Sequence, residues 1–178
     1  MKEKYSSLYR LFALYLSPGL VQVPAWCRSS GSRREGSISP ARQQEILNKV
    51  GSKILATAPS DWNKIVYKIS SVVEMSSSSA TVEYKNGEAG TFRTDAMIGN
   101  YLDELRAGMY IEGKGTWFSL ECTITHPGRF KVHYNYNDDP ELTFATSKAF
   151  TNDLEYFPRD PEHTPEWLKQ KIREESES

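Results

Sequence analysis

The stretch "GTWFSLECTITHPGRFKVHYNYN", residues 115–137, decides the fold. Phe118, Leu120, Cys122 and Ile124 alternate with Trp117, Ser119, Glu121, Thr123 and Thr125. His126-Pro127-Gly128-Arg129 reads as a turn, and Phe130, Val132, Tyr134 and Tyr136 then alternate with Lys131, His133 and Asn135. Period-two alternation on both sides of a turn predicts an antiparallel hairpin with one buried face. It places Phe118 inward and Trp117 on the outward face.

Working outward, "DWNKIVYKISSVVEM" is rich in Ile, Val and Tyr and reads as a long strand, with Ser76–Ser79 as a polar turn after it. Ala80, Val82 and Tyr84 alternate as a second strand, Asn86-Gly87 is a hairpin signal, and a short strand follows near Thr91–Arg93. Ile46, Leu47, Val50, Ile54 and Leu55 recur at helical spacing behind a Ser39-Pro40 start, and Pro59 ends that helix. "TDAMIGNYLDELRAGMY" is a second amphipathic helix, with Met97, Tyr101 and Leu105 on one face, Ile98, Leu102 and Met109 beside it, and Arg106 set toward water. "SKAFTNDLEYF" and "TPEWLKQKIREE" read as two short helices. The order α-β-β-β-α-β-β-α-α predicts an α+β domain, an antiparallel sheet with helices packed on one face. The domain is expected over residues 39–173, after a poorly ordered basic extension (1–38) and before a short disordered tail (174–178).

The chain has 178 residues and a net charge of -1 that conceals an asymmetry. Residues 1–40 hold six Lys/Arg against two Glu, whereas from Tyr134 onward 11 acids face five bases. An acidic C-terminal third disfavours direct nucleic-acid binding, which needs clustered Lys/Arg. It suits a basic protein partner. No apolar run is long enough for a membrane span. Neither Cys27 nor Cys122 belongs to a CxxC pair, and no G-x-S-x-G or H-E-x-x-H motif is present.

Two carboxylate patterns invite chemistry. Glu83-Tyr84-Lys85 has the E-x-K form of metal-dependent nucleases, with Asp61 as the further carboxylate available. Asp138-Asp139-Pro140-Glu141 lacks the calcium-loop pattern; its adjacent aspartates diverge on an extended chain, and Pro140 stiffens the exit. This second cluster therefore reads as a rigid turn presenting charge outward. The E-x-K reading would require a divalent metal, whereas the outward-facing turn requires no metal or cofactor, and none is expected.

Three segments, "ILATAPSDWNKIVYKI" (54–69), the hairpin with its continuation "NDDPE", and "DLEYFPRDPEHTPEWL" (153–168), carry a family likeness. Over about residues 42–172 the chain resembles the YezG-like immunity (antitoxin) proteins of bacterial polymorphic-toxin systems. The shared features fall on Trp62, Trp117, Gly128, Phe130, Val132, Tyr134, Tyr136 and Asp138. The resemblance implies a cytoplasmic, non-catalytic protein that binds and neutralises a cognate toxin, in the better-known cases a nuclease. The expected contact residues are Trp117, Asp138, Asp139, Glu141, Asp153, Glu155 and Asp160, with Glu162 as a further charge. The alternatives are a metal-dependent nuclease using Glu83 and Lys85, and a general protein-interaction module.

Overall fold

The structure is a computed structural model that describes residues 36, 38–142 and 148–177. The expected extension, residues 1–38, lies almost wholly outside them. The elements are α1 (Pro40–Thr57), β1 (Trp62–Val72), β2 (Met75–Tyr84), β3 (Ala89–Thr91), α2 (Met97–Gly108), β4 (Ser119–Thr125), β5 (Arg129–Asn135), α3 (Ala149–Tyr156) and α4 (Glu166–Ser176), with a 3-10 turn at Pro161–His163. The strands form one antiparallel sheet in the order β3-β2-β1-β4-β5. This is the predicted α+β fold in the predicted element order.

Local chemistry sets most boundaries. The Ser39 side chain accepts the Arg42 N–H at 3.2 Å, with Pro40 in the first turn of α1. Gly87 takes φ +87° in the β2–β3 turn, a conformation that costs glycine little. Ser76–Ser79 do not form the expected turn. They pair with β1 from Ser71↔Ser76 to Lys68↔Ser79, and the chain reverses at Val73-Glu74 instead. Serine disfavours strands only weakly, and pairing along the long β1 prevails.

One face of the sheet is the core. Ile65, Tyr67 and Ile69 from β1, Ala80 and Val82 from β2, and Leu120, Cys122 and Ile124 from β4 meet Ile46, Val50 and Ile54 of α1 and Ile98, Leu102 and Leu105 of α2. Met97, read as apolar-face, is 46% exposed. A second cluster, built from Val72, Phe118, Leu142, Ala149, Phe150 and Leu168, gathers α3 and α4 at the Val72–Met75 end of the sheet.

Two outward readings are corrected here. Trp117 is 0% exposed and belongs to the main core. The cause is a kink at Phe118, whose N–H donates to Asn135 O on β5 while its carbonyl accepts from Ser71 N on β1. In a regular strand both groups of a residue point to the same neighbour, so the alternation slips by one before β4 begins. Trp117 turns to the first cluster and Phe118 to the second. Arg106, read as facing water, is 3% exposed. It lies one turn past Leu102 on the buried stripe, where its Nη1 and Nη2 each lie 2.9 Å from a carboxylate oxygen of Asp153. Nε donates to Trp117 O at 2.8 Å, and Asp153 Oδ1 also accepts the Val73 N–H at 2.8 Å.

Removing one member of a buried pair leaves an uncompensated charge. Asp153→Ala is expected to destabilise the fold by about 3–5 kcal/mol, and Asp153→Asn by less, as read by urea denaturation.

Candidate functional site

The acidic stretch after β5 is built on a polar row across the outer face of the sheet. Register places Ser70 of β1, Ser119 of β4 and Asn135 of β5 side by side. Asn135 Nδ2 donates to Ser119 Oγ at 3.0 Å and to Asp138 O at 2.9 Å, while its Oδ1 accepts the N–H groups of Asn137 (3.0 Å) and Asp138 (2.7 Å). Ser70 Oγ donates to Pro140 O at 2.9 Å. The chain after Asn135 is thereby drawn inward over β4 toward β1. Within it, Asp139 Oδ1 accepts the Glu141 N–H at 2.8 Å, and Glu141 sits at φ +54°.

The C-terminal segment fastens the same loop from outside. Trp167 Nε1 donates to Asn137 O at 2.6 Å, with its ring edge-on to Phe118 at 4.9 Å. Arg159 lies 4.3 Å from the Phe118 ring and donates to Tyr136 O and His163 O, each at 3.2 Å, and to Thr116 O. Burial pulls the Arg159 pKa down to about 10, since the charged form is held largely out of water. Its neighbour Asp160 donates its N–H to Gly113 O at 2.7 Å. Gly113 has φ +75°, and a Cβ there would collide with the Asp160 carboxylate.

Asp138, Glu141, Glu155, Asp160 and Glu162 are exposed, and Asp139 is half-buried. Among the described residues, Asp138, Asp139, Glu141, Glu155 and Asp160 have no basic partner within ion-pair distance. The loop carrying Asp138–Glu141 and the turn carrying Asp160 and Glu162 are joined through Arg159 and Trp167. Together they form an acidic rim. Of the predicted contact residues, Trp117 and Asp153 are not on it, because the core and the Arg106 pair have enclosed them, and Glu155 is exposed on α3, outside both the loop and the turn. The rim's supports, Ser70, Ser119, Asn135 and Arg159, were not singled out in the sequence. Only the even spacing of Ser119 and Asn135 about the hairpin turn hinted that they share a row.

Other chemical candidates are less assembled. Glu83 accepts from Asn63 Nδ2 at 3.0 Å. Among the described residues, Asp160, Glu162 and His163 form the one group of three or more possible metal ligands, and neither Glu83 nor Asp61 joins it. Cys122 is buried between the sheet and α1–α2, and desolvation pushes its thiol up to about 12, away from the reactive thiolate.

The family model described as "Immunity protein YezG-like" matches residues 83–166. This is the family that the sequence resembles, and the matched span contains α2, the hairpin and the acidic rim. No curated protein matches the chain.

Asn135→Ala should release the loop while leaving the sheet paired. The expected result is faster hydrogen exchange at the Asn137 and Asp138 amides and a loss of about 1 kcal/mol, since two exposed backbone N–H groups exchange their acceptor for water.

Proposed function

We propose that this protein is an immunity protein that neutralises a cognate toxin by docking the acidic rim over the toxin's basic active-site surface. The observation that carries the reading is the family match over residues 83–166, which spans every charge on the rim. A nuclease must present cations to a polyanionic substrate. A carboxylate surface can occupy the same cations, exclude the nucleic acid and speed encounter through long-range attraction.

The rim is suited to this role because its backbone is fixed before any partner arrives. Asn135, Arg159 and Trp167 hold the loop through side chain-to-backbone hydrogen bonds, so little ordering has to be paid for on binding. The candidate contact charges are Asp138, Asp139, Glu141, Glu155, Asp160 and Glu162. Asp153 acts from beneath, as the anchor of α3. The protein works in the compartment of its toxin's target, the bacterial cytoplasm, and without a cofactor or catalysis of its own.

Co-expression tests the reading. Cells carrying a toxin encoded beside this chain should survive when the chain is present; death with every neighbouring toxin would overturn it. Asp138→Lys with Asp139→Lys is expected to slow association about tenfold or more at low salt, with a smaller difference at high salt. Stopped-flow mixing against that toxin domain reads both. An unchanged rate with an intact fold would move the contact away from the rim.

A further inference from the structure

β5 is the last strand of the sheet, and the geometry of its free edge points to a partner. His126 N–H donates to Asn63 O, so even-numbered residues of β4 bond toward β1 and odd-numbered ones toward β5. The register Thr123↔Lys131 and Glu121↔His133 then turns the odd residues of β5 inward. Phe130, Val132 and Tyr134 therefore direct their N–H and C=O groups to the open side. Among the described residues nothing pairs with them.

The side chains of this edge are patterned as well. Phe130, Val132 and Tyr134 lie on the core face but are only partly buried, so the apolar layer runs out to the edge unfinished. On the opposite face stand Arg129, Lys131 and His133, all exposed and without an ion-pair partner among the described residues. The strand is basic at its start, and the acidic loop follows its end, with Asp138 tied to Asn135. That loop folds inward toward Ser70, away from the outer edge of Arg129–Asn135.

We propose that this edge pairs with the same edge of a second copy, antiparallel across a two-fold axis near Val132, joining two five-stranded sheets into one. Antiparallel self-pairing opposes Phe130 to Tyr134 of the other copy and Val132 to itself, which completes the apolar layer. It also brings the basic Arg129 end of each copy beside the Asn135–Asp138 end of the other. Arg129 and Asp138 approach at both ends of the pairing, while Lys131 stands across from His133 of the other copy, so the charge match lies at the ends. Self-complementarity in apolar pattern and backbone groups, with Arg129 brought to Asp138 at both ends, selects a second copy over an unrelated strand.

Sedimentation velocity on the full chain alone, over a concentration series, tests the proposal separately from the immunity role, since no toxin is present. The expected species at high concentration has twice the monomer mass. Val132→Pro removes an outward N–H without removing a β4–β5 hydrogen bond, and should raise the dimer dissociation constant about tenfold or more. Arg129→Asp should do the same, and adding Asp138→Lys with Asp139→Lys should restore the dimer. The charge variants keep the test open if Val132→Pro does not fold, with circular dichroism as the check. A chain that stays monomeric throughout, or a dimer indifferent to the foldable variants, overturns the proposal.

Discussion

The Arg106–Asp153 pair is the interaction on which the arrangement of the outer elements depends. A guanidinium and a carboxylate, both almost fully enclosed, share a bidentate contact. Arg106 also donates to Trp117 O, and Asp153 also accepts from Val73 N. Four segments therefore meet at one charge pair: α2, the approach to β4, the β1–β2 turn and α3. Such a pair adds little net stability compared with an apolar replacement, because both ions have been desolvated. Its contribution is positional. With each partner requiring the other, α3 can seat in one way only, and the C-terminal segment that follows is delivered to the sheet end.

From that anchor the rim follows. Phe157 lies against Arg106 at 4.8 Å, and the chain proceeds directly to Arg159, which spans the 116, 136 and 163 carbonyls. The kink at Phe118 matters equally, for it sends Trp117 to the core and offers the Phe118 ring as the platform for Arg159 and Trp167. One irregular residue before β4 thus links the two hydrophobic clusters and the acidic surface. The carboxylates themselves need only exposure; their placement is the work of neutral and basic side chains beneath them.

The hairpin was legible because burial on one face leaves a period-two record, and Leu120, Cys122, Ile124, Val132 and Tyr134 all keep it. α1 was legible for the same kind of reason, through its 3.6-residue stripe and Ser39 cap. Trp117 was misplaced because periodicity assumes unbroken backbone geometry, and a bulge leaves no mark in composition. Arg106 keeps the helical spacing of Ile98 and Leu102, but its charge points to water unless a buried counterion is known. Asp153 looked like one more surface acid in an acidic segment, since a buried counterion 47 positions away in sequence is invisible along the chain.

By itself the sequence determined the α+β class, the element order, most core faces of the helices and strands, an acidic C-terminal third, and a likeness to the immunity-protein family whose model matches residues 83–166. These are local or additive properties, readable from spacing and composition. Only the tertiary structure decided which carboxylates face outward, which one is consumed in a buried pair, and which strand edge stays open. Those outcomes depend on contacts between residues distant in sequence, where desolvation and hydrogen-bond geometry, rather than pattern, choose the partner.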